Sequence, residues 1–131
     1  MPGHSFRKKE KLSGKKPISE LFVSGESVKA FPLRILYTRV GPGPYPARVA
    51  ISVPKKLFRK AVDRNLIKRR IREAYRHNKS GFYGKLSGLN IRVNMVMQYN
   101  HSKILDYRSL EEAVITGLDN LVRELEKKGT R

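Results

Sequence analysis

From Val62 to Arg76 the chain reads Val-Asp-Arg-Asn-Leu-Ile-Lys-Arg-Arg-Ile-Arg-Glu-Ala-Tyr-Arg, and this segment constrains the fold more than any other. Wound as a helix at roughly 100° per residue, it gathers Arg64, Asn65, Lys68, Arg69, Arg72 and Arg76 into an arc of about 140°, with Ile67, Ile71, Ala74 and Tyr75 on an adjacent arc of about 100°. The apolar arc needs a layer to bury it. The cations, repeating at helical spacing, repel one another until an anion comes between them. Four of the five are arginines, whose planar guanidinium pairs with phosphate through two parallel hydrogen bonds and stacks on bases. A membrane surface or a calmodulin-type groove would use large Trp, Phe or Leu anchors, which this apolar arc lacks. A merely solvated face would mix its signs.

The wider charge distribution points the same way. Residues 55–85 hold twelve bases against Asp63 and Glu73, whereas 86–131 hold seven against six. More than half of the net charge of +18 is thus local to one segment of a 131-residue chain, a length that suits one domain. Cysteine is absent, so disulfides, thiolate zinc sites and cysteine nucleophiles are excluded and a cytoplasmic location is expected. No apolar run could serve as a signal-peptide core or span a bilayer, so no membrane partner is expected.

Residues 1–15 are cationic and aperiodic and read as a flexible basic arm, leaving 16–131 as one domain. Pro17, Ile18, Leu21, Phe22 and Gly25 predict a short helix capped by the glycine. Val28, Phe31, Leu33, Ile35 and Tyr37 read as extended chain interrupted at Pro32. The cluster Gly41 to Pro46 predicts a hairpin turn into a return strand over Val49–Val53. After the basic helix, Gly81, Gly84 and Gly88 are expected to break the chain. Ile91, Val93, Met95, Met97 and Tyr99 then alternate with polar residues as a strand. Leu110, Val114, Leu118, Leu121 and Leu125 predict a final helix, with Ser109 and Glu112 as its capping box and Gly129 at its end. This order points to an α+β sandwich.

The string Arg64-Asn65-x-x-Lys68-Arg69-x-x-Arg72, preceded by Ser52-Val53-Pro54-Lys55-Lys56 and Ala61-Val62, resembles the Arg-Asn-Arg signature of the protein subunit of bacterial ribonuclease P. The resemblance runs from about Leu12 to the last helix. It implies an αβββαβα two-layer sandwich like the second domain of ribosomal protein S5, with a left-handed βαβ crossover. It also implies a partner, a catalytic RNA that removes the 5′ leader of precursor tRNA, with Mg2+ bound mainly by that RNA and no obligate protein partner. Arg64, Asn65, Lys68, Arg69, Arg72 and Arg76 would face the RNA. Ile18, Phe22, Tyr37, Ser52, Lys55 and Lys56 would line a cleft for the single-stranded leader. This chain has Ile18 where an aromatic is common in the family, and Phe58 and Arg59 in a loop that commonly carries glycine.

No catalytic site of the protein's own is expected. His4, His77 and His101 lie far apart in sequence, and no phosphate loop, paired-histidine zinc motif or acidic cluster for two-metal chemistry occurs. The competing reading is a non-enzymatic ribosomal or assembly protein that clamps folded RNA. A DNA-binding recognition helix would need a second helix just before Arg64, where the sequence reads as strand and proline.

Overall fold

In the computed structural model, which describes residues 10–129, the basic segment is helical and its apolar arc is buried. The helix α2 (Ala61–Leu89) runs straight through Gly81, Gly84 and Gly88, so the expected break there does not occur. Lys79, Phe82 and Leu86 extend the buried stripe of Tyr75 at three- and four-residue steps. All three glycines fall on the solvent side, where an added Cβ would meet nothing within 4 Å. Burial of the stripe outweighs the roughly 1 kcal/mol that each helical glycine costs relative to alanine. The helix ends at Asn90, in the left-handed region with φ 57°.

Around α2 the chain forms α1 (Lys15–Ser24), β1 (Glu26–Ala30), β2 (Leu33–Val40), β3 (Ala47–Ser52), β4 (Arg92–Tyr99) and α3 (Tyr107–Gly129). This is the expected α+β order, αβββαβα. The sheet order is β1-β2-β4-β3, with β4 antiparallel to β2 and parallel to β3. The hairpin expected across Gly41–Pro46 is therefore not formed. β4 buries Met95 and Met97 on one face and Val96 on the other, and so takes a central place between the two strands thought adjacent. The proline-rich loop passes the end of β4, where the Arg92 guanidinium donates to the carbonyls of Gly41 and Tyr45. The hairpin that does form joins β1 to β2 through Phe31 and Pro32.

One face of the sheet packs on α2 and α3 and holds the main core, including Ile35, Tyr37, Met95, Met97, Ile67, Tyr75, Leu110 and Leu121. Gly117 lets α3 lie close: a Cβ there would sit 2.6 Å from Ile35 Cδ1. The cap of α3 is Asp106 rather than Ser109. Its Oδ1 accepts the Ser109 N–H at 2.8 Å; hydrogen bonding from the Ser109 hydroxyl and then from this N–H lowers the Asp106 pKa, and the helix starts earlier than expected.

On the opposite face α1 covers a smaller cluster of Leu12, Leu21, Leu36 and Val96, flanked by Ile18 and Ala50. Gly25 ends α1 as predicted; its N–H donates to Leu21 O at 3.0 Å, and a Cβ would approach that oxygen to 2.5 Å. Of the arm expected over 1–15, residues 1–9 lie outside the described residues. Residues 10–14 belong to the packed structure instead. Glu10 and Leu12 are 1 % and 7 % exposed, and Leu12 N–H donates to Val49 O at 2.9 Å. Leu12 supplies apolar surface to the minor core, and the Glu10 carboxylate meets the ammonium of Lys79 in the interior.

Candidate nucleic-acid interface

The outward arc of α2 divides into three groups by what each side chain touches. Asn65, Arg69 and Arg72 are exposed and Lys68 is half-buried. Among the described residues neither Lys68, Arg69 nor Arg72 forms an ion pair with a carboxylate. Arg64 turns back on the preceding loop, donating to Phe58 O at 2.8 Å and Arg59 O at 2.9 Å. That loop drops Phe58 into the core, its ring 5.9 Å from that of Tyr99. Arg64 therefore holds the loop in place while keeping its charge. Arg76 is engaged by Glu73 through two hydrogen bonds of 2.9 Å, which together hold the Glu73 carboxyl below the usual range. It departs from the open row in which the periodicity placed it, because Glu73 lies one turn before it on the same helix.

The α1 face of the sheet is only partly covered. Leu36, Val96 and Ala50 face one another across three strands and form an apolar row in contact with α1. Polar rows flank it on either side: Arg34, Gln98 and Ser52, and Thr38, Asn94 and Arg48. Beside β3 a groove is lined by Lys11, Ser13, Ile18, Ala50, Lys68 and Arg72. Ile18 on α1 and the signature cations on α2 thus share one groove. Phe22, one helical turn beyond Ile18, is 43 % exposed and belongs to neither core cluster. Ser52 lies on this open face, and Lys55 and Lys56 are exposed in the turn that follows it.

Tyr37 is the exception among the expected cleft residues. It is 2 % exposed and lies in the main core, on the opposite side of the sheet from α1. Its hydroxyl accepts from Lys128 Nζ at 3.4 Å, and burial with nearby Glu124 raises its pKa. Strand parity sets this placement: Leu36 faces α1, so Tyr37 faces α3. Of the histidines, His77 lies beside Glu73 and His101 stacks edge-on against Phe31, while His4 is outside the described residues. Among the described residues no three His, Asp or Glu side chains gather as a cation site. Among the described residues no helix is long and apolar enough to cross a membrane.

A groove of cations and apolar groups beside an open, polar sheet face suits a nucleic-acid strand. A family model described as Ribonuclease P matches residues 6–121. The chain belongs to the ribonuclease P protein family. It is 34 % identical over 115 residues to the ribonuclease P protein component of Porphyromonas gingivalis strain W83, covering 86 % of this chain and 83 % of that one. Its fold matches that of the Staphylococcus aureus RNase P protein with a TM-score of 0.69 at 21 % identity, over 86 % of this chain and 94 % of the other. The Thermotoga maritima RNase P protein gives 0.65 at 23 % identity, over 85 % and 96 %. These findings do not favour the non-enzymatic ribosomal reading.

Sequence reasoning missed Arg34, Arg48, Asn94 and Gln98 as candidates for this interface in a ribonuclease P family chain. The available signal was the regular polar residue on β2, β3 and β4 where a face covered on both sides would be apolar. Among the described residues the Arg48 Nε is buried and has no hydrogen-bond partner, so this side chain would gain a bond if the face rearranged around a bound strand. The pairing of Arg76 with Glu73 is open to a direct test. Glu73→Gln removes the charge that neutralises Arg76, and it should steepen the salt dependence of RNA affinity by about 0.9 log units per log unit of salt if Arg76 then reaches a phosphate. Filter-binding titrations across salt concentrations measure the slope; an unchanged value means Arg76 faces no phosphate.

Proposed function

We propose that this chain is the protein subunit of a ribonuclease P, binding a catalytic RNA through Lys68, Arg69, Arg72 and Asn65 and the single-stranded leader of precursor tRNA through the face beside α1. The observation that supports the reading is the groove that Ile18 of α1 lines together with Lys68 and Arg72 of α2. Arg64 supports the first surface by fixing the loop ahead of α2. Phe22, Ser52, Lys55 and Lys56 belong to the second, with Phe22 offering a ring for base or ribose stacking.

The protein's part in cleavage is positioning and charge neutralisation. The magnesium ions that offset phosphate charge during hydrolysis would be held mainly by RNA oxygens. The left-handed crossover, the likeness to ribosomal protein S5 and a cytoplasmic setting go with this reading. Mixing the protein with precursor tRNA and candidate catalytic RNA at low magnesium tests it. The expected result is 5′ cleavage that depends on the protein; no stimulation at any magnesium concentration rejects the assignment.

A further inference from the structure

The chain has eleven carboxylates against twenty-nine Lys and Arg, yet it places one acid and one base together in the interior. Glu10 and Lys79 are 1 % and 4 % exposed, with Nζ 2.5 Å from Oε1. Tyr83 donates its hydroxyl to the same oxygen at 2.6 Å, and Tyr75 in turn donates to Tyr83 at 3.2 Å. Burial raises the pKa of both phenols, so they remain protonated donors. A buried ion pair adds little to net stability compared with apolar side chains of the same shape; what it enforces is a unique placement of the groups that carry it. Here the carboxylate sits on the first described residue and its partner lies in the second half of α2, 69 positions away.

What that placement fixes is the segment 10–14. From Glu10 the chain runs along the open edge of β3, where Leu12 N–H donates to Val49 O and Leu12 enters the minor core. Lys11, Leu12, Ser13 and Gly14 then form the wall of the groove that faces Lys68 and Arg72. We propose that Glu10 and Lys79 are positioning residues: their buried pair clamps residues 10–14 against β3 as the outer wall of the groove in which the nucleic-acid strand lies. This rests on the function proposed above. Lys79 does not touch the RNA in this scheme, although it belongs to the most basic segment of the chain.

The clamp is tested by one loss and one rescue. Lys79→Met leaves the Glu10 carboxylate in the interior without its ammonium counter-charge, held by weaker neutral donors such as the Tyr83 hydroxyl, and Glu10 can regain water if residues 10–14 peel from β3 without unfolding the domain. Hydrogen exchange at the Leu12 amide should accelerate at least about tenfold, and affinity for leader-bearing precursor tRNA should fall by about tenfold. The double variant Glu10→Leu with Lys79→Met leaves no orphan charge and should restore both readouts, although Lys79 is still absent. If the double variant stays defective in precursor binding with Leu12 protected, Lys79 acts as an RNA-facing cation and the clamp is overturned. Unchanged Leu12 exchange in the single variant overturns it as well, as does faster exchange with unchanged precursor affinity. Should the unsubstituted protein bind precursor and mature tRNA equally, the leader-binding function fails. The groove-wall role then fails with it, and the exchange data alone decide whether the pair clamps the segment.

Discussion

Replacing Lys68, Arg69 and Arg72 together with alanine is expected to flatten the salt dependence of catalytic-RNA affinity by up to ~2.7 log units per log unit of salt, about 0.9 for each duplex phosphate that is no longer neutralised. At near-physiological salt the same change amounts to roughly 10²-fold weaker affinity. The fold should survive, because these side chains lie outside both core clusters and make no carboxylate ion pairs among the described residues. Arg64 is left out deliberately. Its removal would free the carbonyls of Phe58 and Arg59 and disturb the loop that plugs the core, mixing a structural effect with the electrostatic one. Affinity measured over a range of salt concentrations decides the matter: a triple variant with the native slope would show that the RNA does not follow this side of α2.

The second large effect is expected at Phe22. Base–aromatic stacking contributes about 1–3 kcal/mol per base, so Phe22→Ala should weaken binding of leader-bearing tRNA by about 10- to 100-fold and leave mature tRNA unaffected. Thermal stability should change little, because the ring is already 43 % exposed. The neighbouring Val23, 87 % exposed, is the matched control: Val23→Ala should change neither affinity. Equal weakening for both tRNAs in Phe22→Ala would move the ring out of the leader's path and into general RNA binding.

Much of this was legible in the sequence because local periodicity carried it. The 3.6-residue repeat of α2 and α3 identified their buried stripes, and the two-residue repeat of β4 identified its inward side chains. What escaped was decided at long range. The Gly and Pro cluster at 41–46 looks like a hairpin turn, and nothing in the adjacent residues shows that a strand fifty positions later fits between the two arms. Three glycines suggested a break in α2 because their local cost was visible and the burial of Phe82 and Leu86 on a distant core was not. Tyr37 was assigned to the cleft by motif position, and its parity against Leu36 reveals its true side only once the face covered by α1 is known. Arg76 looked free because its arc was considered without Glu73, three residues earlier. The interior pairing of Glu10 with Lys79 had no local trace at all.

The middle position of β4 bears on how the chain is made. Both strands that flank it are translated before it, and the long basic helix emerges between the last of them and β4 itself. A nascent chain ending before Arg92 therefore holds two strand edges with no partner and a strongly cationic helix with half its support missing. Closure of the sheet waits for eight late residues to slot between earlier ones. Acquisition of structure should accordingly be abrupt and should come after residue 99 has cleared the ribosome, rather than growing stepwise from the amino terminus.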